Sequence, residues 1–216
     1  MRKLISTLIL CVIAPLGFAS GGVELKSVDF DIQDNDSLYR GAKLYVQNCL
    51  GCHSGKYMRY ERIGEDLGLT EQEVKDNLMF NTDKLLDTMK SFVSKEVATE
   101  FFGVEPPDLT LHARYRGPNW IYSYLDGFYK DESRPMGYNN HVLPGVNMPF
   151  VMSSLKETLS AEDYDNALVD LTNYMVYMAE PIRPYRERMG KYVLAFLFLV
   201  LIPVWMLKNV YWKDIH

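Results

Sequence analysis

Only three of the 216 residues are cysteine: Cys11, Cys49 and Cys52. A disulfide framework is therefore excluded, and the Cys49/Cys52 pair needs another purpose. Basic charge is also in short supply, with a net charge of −5 over the chain. Setting aside Arg2 and Lys3 near the start, 21 basic side chains face 28 acidic ones. A nucleic-acid binder needs a basic face, so nucleic acid is not an expected partner. The acidic balance suits either a solvated surface or electrostatic steering of a basic partner. No internal repeat, low-complexity tract or convincing alternating strand pattern is present, which disfavours solenoids and all-β architectures.

Long apolar runs occur only at the two ends. Arg2 and Lys3 precede the apolar stretch Leu4 to Phe18, and the small residues Gly17 and Ala19 at its end suit the −3 and −1 positions of a cleavage site. That pattern reads as a secretory signal over 1–20, cleaved after Ala19 or Ser20. The second run is Tyr192 to Leu207, uncharged inside and bracketed by Lys191 and Lys208. At 1.5 Å per residue it covers about 24 Å, and its flanks extend it to a bilayer's thickness. Trp205, Tyr211 and Trp212 suit the interface belt, and the lysines can snorkel. Pro203 is a candidate kink. The expected organisation is a signal at 1–20, an exported domain at 21–190, a transmembrane anchor at 191–208 and a cytoplasmic tail at 209–216. Arg183, Arg186 and Arg188 put positive charge on the exported flank, against Lys208 and Lys213 inside, so the signal rather than the charge bias fixes this orientation.

The exported segment reads as mostly α. Leu38, Ala42 and Tyr45 share one face of a helix from about Ser37 to Asn48. Thr70 with Glu73 forms a capping box for a helix of about ten residues. Residues 83–98 are read as a further helix. Trp120, Ile121, Tyr124, Leu125 and Phe128 recur at helical spacing. The longest periodicity runs from a Ser160 cap to Glu180, with an apolar stripe that includes Leu168, Leu171, Met175 and Met178, and Pro181 ends it. Between Tyr129 and Phe150 lies a stretch rich in Pro, Gly and Asn. A loop of that length in a compact domain needs a job, and packing around a large cofactor would be one.

Cys49-Leu50-Gly51-Cys52-His53 carries the chemistry. In an exported chain, Cys-x-x-Cys-His reads as covalent haem attachment. Two thiols on one turn reach the two vinyl groups of a porphyrin, and the following imidazole binds the iron axially. A zinc site would need a second ligand pair, yet the remaining histidines are only His112, His141 and His216. A thioredoxin-like pair belongs in a βαβ context that is not seen here. One motif implies one haem c, covalently bound. Met/His ligation raises the potential and suits electron transfer. Met148, between Pro144 and Pro149 in Leu-Pro-Gly-Val-Asn-Met-Pro, is the first candidate for the sixth position, and Met136 in Arg-Pro-Met-Gly is the alternative. Met175 and Met178 sit on the helical stripe and read as core, while His112 and His141 read as ordinary residues.

The ordered set of segments resembles the cytochrome c1 family of the ubiquinol–cytochrome c oxidoreductase (cytochrome bc1 complex). It comprises Leu38-Tyr39-Arg40-Gly41, Tyr45, the haem motif, Tyr60-Glu61-Arg62, Pro106-Pro107-Asp108-Leu109-Thr110, Arg114 and Arg116, the Pro-Gly-x-x-Met-Pro segment, and Tyr211-Trp212-Lys213-Asp214. The resemblance implies a c-type cytochrome domain wrapped around one haem, plus a single C-terminal transmembrane helix. It implies thioether links at Cys49 and Cys52, axial ligation by His53 and Met148, and Arg116 beside a haem propionate, with Arg114 second. Trp120 falls near a family aromatic at the haem edge. The implied activity is that of an electron-carrying subunit. It accepts an electron from a Rieske iron–sulfur protein and passes it to a cytochrome c. The implied setting is beside a cytochrome b subunit, in the lipid of a bacterial cytoplasmic membrane, with the haem domain periplasmic. The rivals are another tethered electron carrier, a haem enzyme or sensor with an open sixth position, and a structural anchor.

Overall fold

A computed structural model describes residues 23–213. The signal read at 1–20, its cleavage position, Cys11, and Asp214 and His216 of the tail lie outside the described residues. The architecture is mostly helical, as expected.

Two helices form the centre. Helix α1 (Asn35–Asn48) starts two residues before the expected Ser37, because the Asp34 carboxylate accepts a hydrogen bond from the Ser37 amide and so serves as N-cap. Its buried face contains Leu38, Ala42 and Tyr45, the repeat read from the sequence, together with Gly41 and Val46. Near the other end of the chain, α8 (Ala161–Ala179) begins after Ser160, whose hydroxyl accepts from the Asp163 amide. Its buried residues include Leu168, Leu171, Tyr174, Met175 and Met178. The two helices cross at Gly41, where an added Cβ would sit 2.1 Å from the Asp170 carbonyl oxygen. Only glycine permits that approach. The crossing is also bonded. Arg40 grips the Asp170 carboxylate through two nitrogens at 2.6 and 2.9 Å, Ser37 donates to Asp170 at 2.6 Å, and Asn173 donates to Ser37 at 2.7 Å.

Smaller elements surround this pair. After strand β1 (Gly55–Arg59) come α2 (Tyr60–Leu67) and α3 (Glu71–Leu78), the latter opened by the expected Thr70/Glu73 capping box. The helix read over 83–98 does not form as such. Residues Thr88–Met89 are instead strand β2, paired antiparallel with β1, and a helix appears only at α4 (Lys95–Phe102), capped by Ser94. The cause is tertiary. The Ser91 amide donates to the Ser54 hydroxyl and the Ser91 hydroxyl to the Gly51 carbonyl, each at 2.9 Å, which ties this segment to the end of the Cys-x-x-Cys-His turn. Short helices α5 (His112–Arg116) and α6 (Pro118–Asp126) follow and pack on α8. A hairpin of β3 (Phe128–Lys130) and β4 (Tyr138–Asn140) then leads through an irregular segment to α7 (Ser153–Thr158). At two to five residues, these four strands are too short for an alternating pattern to stand out in the sequence.

The last element, α9 (Arg183–Tyr211), is a single 29-residue helix that runs through Pro203. It begins nine residues before the apolar run, so the basic stretch Arg183–Lys191 forms its first turns. Residues 191–213 are exposed throughout. A helix of this length with apolar residues on every side is suited to a bilayer, not to a core.

Candidate functional site

The end of α1 is where the chemistry-bearing motif begins. The Cys49 amide closes on the Tyr45 carbonyl at 2.8 Å, and the His53 amide on the Cys49 carbonyl at 2.8 Å. One continuous turn therefore holds Cys49, Cys52 and His53. Tyr45, fully buried, donates its hydroxyl to the His53 carbonyl at 3.1 Å and steadies that turn from below. Neither cysteine is in a disulfide. Burial pushes the Cys49 thiol up to about 12, with Cys52 adding to the effect, and burial also raises Cys52.

Cys49, Cys52 and His53 line a cavity of about 620 Å³. That volume lies within the range of cofactor sites. Its walls are apolar: Pro106, Pro107, Leu109, Ile121, Leu125 and Val146 are among them. The Pro-Pro-Asp-Leu-Thr segment forms one side. Asp108 fastens it by accepting from the Lys56 amide at 2.9 Å and the Thr110 amide at 3.0 Å, and the Leu109 amide donates to the Ser54 carbonyl at 2.9 Å. The consequence is at Pro107, whose carbonyl lies 2.8 Å from His53 Nδ1. The donor at Nδ1 thereby fixes the tautomer and leaves Nε2 with its lone pair for a metal. Burial lowers the His53 pKa, and the Pro107 bond partly opposes this.

Met148 lines the same cavity, as do Arg116 and Trp120. The Met148 segment is held by residues that sequence reading passed over. Arg134 Nη2 donates to the Gly145 carbonyl at 2.6 Å, the Val146 carbonyl at 3.1 Å and Asn147 Oδ1 at 2.8 Å. Gly145 has φ +82°, which lets the chain turn beneath that guanidinium. Asn139 Oδ1 accepts from the Gly145 amide at 2.8 Å. Asn140 is fully buried; it accepts from the Val142 and Leu143 amides and donates to the Tyr124 carbonyl at 2.7 Å. The Pro/Gly/Asn-rich stretch is thus an ordered wall of the cavity. Tyr124, read only as part of a helical face, donates its hydroxyl to Met148 Sδ at 3.4 Å.

The other candidates separate clearly. Met136 does not line the cavity. Met175 does, although it also belongs to the buried stripe of α8, whereas Met178 packs against Gly55. His112 stands at the cavity wall, edge-on to Trp120 at 5.8 Å, and its pKa is lowered first by burial and then by Arg116 and His53. His141 is elsewhere, stacked on Tyr129 at 4.4 Å. His216 lies outside the described residues. The two arginines have different surroundings. Arg114 pairs with Glu180 at 2.6 Å. Arg116 lies 4.8 Å above the Trp120 ring and, among the described residues, has no carboxylate within salt-bridge reach, so it remains available to an anionic group.

Two thiols on one turn, an imidazole with Nε2 free, a thioether and an unpaired arginine around an apolar cavity fit a covalently held haem. The Cytochrome C1 family model matches residues 26–215. The chain belongs to the cytochrome c1 family. It is 40% identical to cytochrome c1 of Allochromatium vinosum, with both chains covered completely. It is 39% identical to a Nitrosomonas europaea protein named ammonia monooxygenase gamma subunit, again over 100% of both. The cytochrome c1 of Rhodospirillum rubrum is 26% identical over 90% of each chain. Cytochrome c1 is the membrane-anchored haem electron-transfer subunit of the cytochrome bc1 complex, and it carries a covalently attached haem c.

Proposed function

We propose that this chain relays single electrons from a Rieske iron–sulfur protein to a cytochrome c, beside a cytochrome b subunit in a bacterial cytoplasmic membrane. The haem domain faces the periplasm, α9 spans the lipid, and the signal at 1–20 is removed. Cys49 and Cys52 form the thioether links, His53 and Met148 bind the iron, and Arg116 stands against a propionate. The bound haem supplies one-electron exchange. The protein's part is to set its terms. His53, oriented by Pro107, and Met148, held by the Arg134-bonded loop, give the Met/His pair that raises a haem potential. The apolar walls exclude water, which strengthens every electrostatic interaction inside. A guanidinium facing a carboxylate makes a charge-assisted pair that fixes the macrocycle's orientation. No nucleophile or general base is required.

The observation that carries this reading is the convergence of Cys49, Cys52, His53 and Met148 on one cavity in a chain matched to cytochrome c1 over nearly its whole length. The test is purification from gently solubilised membranes through a tag after His216, followed by a reduced-minus-oxidised spectrum. A c-type band with b-type bands and a co-purifying iron–sulfur protein supports the proposal. A c-type band alone overturns the partner assignment. The 39% identity to the Nitrosomonas europaea relative favours one other reading, association with an ammonia monooxygenase, and recovery of such subunits in place of b-type haem would establish it.

A further inference from the structure

Of the tyrosine hydroxyls whose partners are known, most meet oxygen acceptors, among them Tyr45 on the His53 carbonyl, Tyr60 on Asn81 and Tyr177 on Asp66. Tyr124 is different, because its hydroxyl reaches Met148 Sδ inside the cavity. The ring cannot swing away. It is stacked on Trp120 at 4.9 Å with an interplanar angle of 7°, and it meets Phe128 edge-on at 5.3 Å. Its backbone carbonyl is held by Asn140 at 2.7 Å. Every one of these contacts would be served equally by phenylalanine. The hydroxyl's one evident purpose is the sulfur.

We propose that Tyr124 is a positioning residue that raises the reduction potential of the bound haem by hydrogen bonding to the sulfur of Met148. The proposal rests on the reading of Met148 as axial ligand. A thioether sulfur has two lone pairs, so it can face a metal with one and accept a hydrogen bond with the other. Donation from Tyr124 withdraws electron density from the sulfur. Oxidised iron is the more electron-poor form and depends more on that density, so the bond disfavours the oxidised state more than the reduced one. The O–H dipole acts in the same direction, because its positive end points toward the site and opposes the extra positive charge of oxidation. Both effects are strengthened by the low dielectric of an apolar cavity. Hydrogen bonding by residues around the ligands is one of the protein's levers on haem potential. Burial raises the Tyr124 hydroxyl above the ordinary phenol value, so it is protonated at neutral pH and the donor is present.

The experiment compares Tyr124→Phe, Met148→Leu and Tyr174→Phe with wild type in the full-length haem-loaded protein. The readouts are redox titration, the long-wavelength band that reports sulfur-to-iron ligation, and carbon monoxide binding. Tyr174 is the control because its hydroxyl also bonds a methionine sulfur, Met89 Sδ at 3.1 Å, away from the cavity wall. Tyr124→Phe is expected to shift the one-electron equilibrium about threefold toward the oxidised form, roughly 28 mV at 59 mV per tenfold. The ligation band should persist, and Tyr174→Phe should leave the potential in place. An unchanged or raised potential in Tyr124→Phe overturns the proposal. Loss of the ligation band overturns it too, because the hydroxyl would then hold the ligand rather than tune it. Met148→Leu separates the two readings. If it loses the band and binds carbon monoxide while Tyr124→Phe is silent, the ligand reading stands and the tuning falls. If it changes neither, another residue is the ligand and both fall.

Discussion

Replacing Arg134 with alanine should loosen Met148 without touching it. The guanidinium spans three acceptors in the loop before Met148, at 2.6, 3.1 and 2.8 Å, all from Nη2. One such nitrogen has two hydrogens, so the three distances represent about two bonds' worth of interaction. Hydrogen bonds to charged groups contribute about 1.5–3 kcal/mol each, and water regains part of that at a partly exposed site. Arg134 Nε is buried with no partner among the described residues, so its removal returns a little more. The net loss to the loop is about 2 kcal/mol, which corresponds to roughly a 30-fold increase in the population with the loop displaced. If Met148 binds iron, the reduced Arg134→Ala protein should bind carbon monoxide about 30-fold more tightly than wild type. Arg134→Lys should fall between, since one ammonium cannot reproduce the planar fork. Carbon monoxide titration of the reduced protein is the assay. Wild-type behaviour in Arg134→Ala, alongside carbon monoxide binding in Met148→Leu, would refute the idea that this clamp holds the ligand.

Met148→Leu itself should lower the potential and open the iron to carbon monoxide, whereas Met136→Leu should do neither; the reverse pattern in redox titration would make Met136 the ligand. Gly41→Ala forces a Cβ to within 2.1 Å of the Asp170 carbonyl oxygen, which is backbone that cannot yield cheaply, and 2.7 Å of Tyr174 Cβ. A loss of about 2–3 kcal/mol is expected, seen as a melting temperature lower by roughly 5 °C or more, and an unchanged melt would mean that α1 and α8 do not cross so closely. Glu180 receives Arg186 at 2.5 Å and Arg114 at 2.6 Å, and these arginines hold its carboxyl below the ordinary value of 4.5, the Arg186 hydrogen bond contributing most. Because the folded-state value is depressed, the stabilisation is present above the unfolded value and disappears as pH falls through the folded one. Glu180→Gln should therefore lower the melting temperature at pH 7 but not at a pH below that depressed value; a deficit that persists in acid would point to packing instead of charge.

The parts of the site that were legible in the sequence are those set by local rules. Thr70 with Glu73 and Ser160 with Asp163 marked their helix starts, and the stripe from Leu168 to Met178 marked the longest soluble helix, because capping and periodicity depend on neighbours along the chain. The spacing of Cys49, Cys52 and His53 was legible for the same reason. What was not legible depends on pairs far apart in sequence. Residues 83–98 contain apolar positions compatible with a helix, but the pairing of Thr88–Met89 with the first strand and the bonds from Ser91 to Gly51 and Ser54 hold the chain otherwise. The fixing of the His53 tautomer comes from a backbone carbonyl at Pro107, fifty-four residues away, and no side-chain pattern reveals it. Arg134 and Tyr124 look like a loop charge and a helix aromatic until the fold brings both to Met148. The one available hint was the Pro/Gly/Asn richness of 129–150, which called for a role without naming the residues that fill it.

The most direct test of the relay is rapid mixing of the solubilised complex with a quinol, following the c-type band in time, with and without the iron–sulfur protein and then with added cytochrome c. The expected result is reduction of this haem by quinol only when the iron–sulfur protein is present, and reoxidation by cytochrome c. Reduction at the same rate without the iron–sulfur protein, or failure of cytochrome c to reoxidise the haem, would contradict the account.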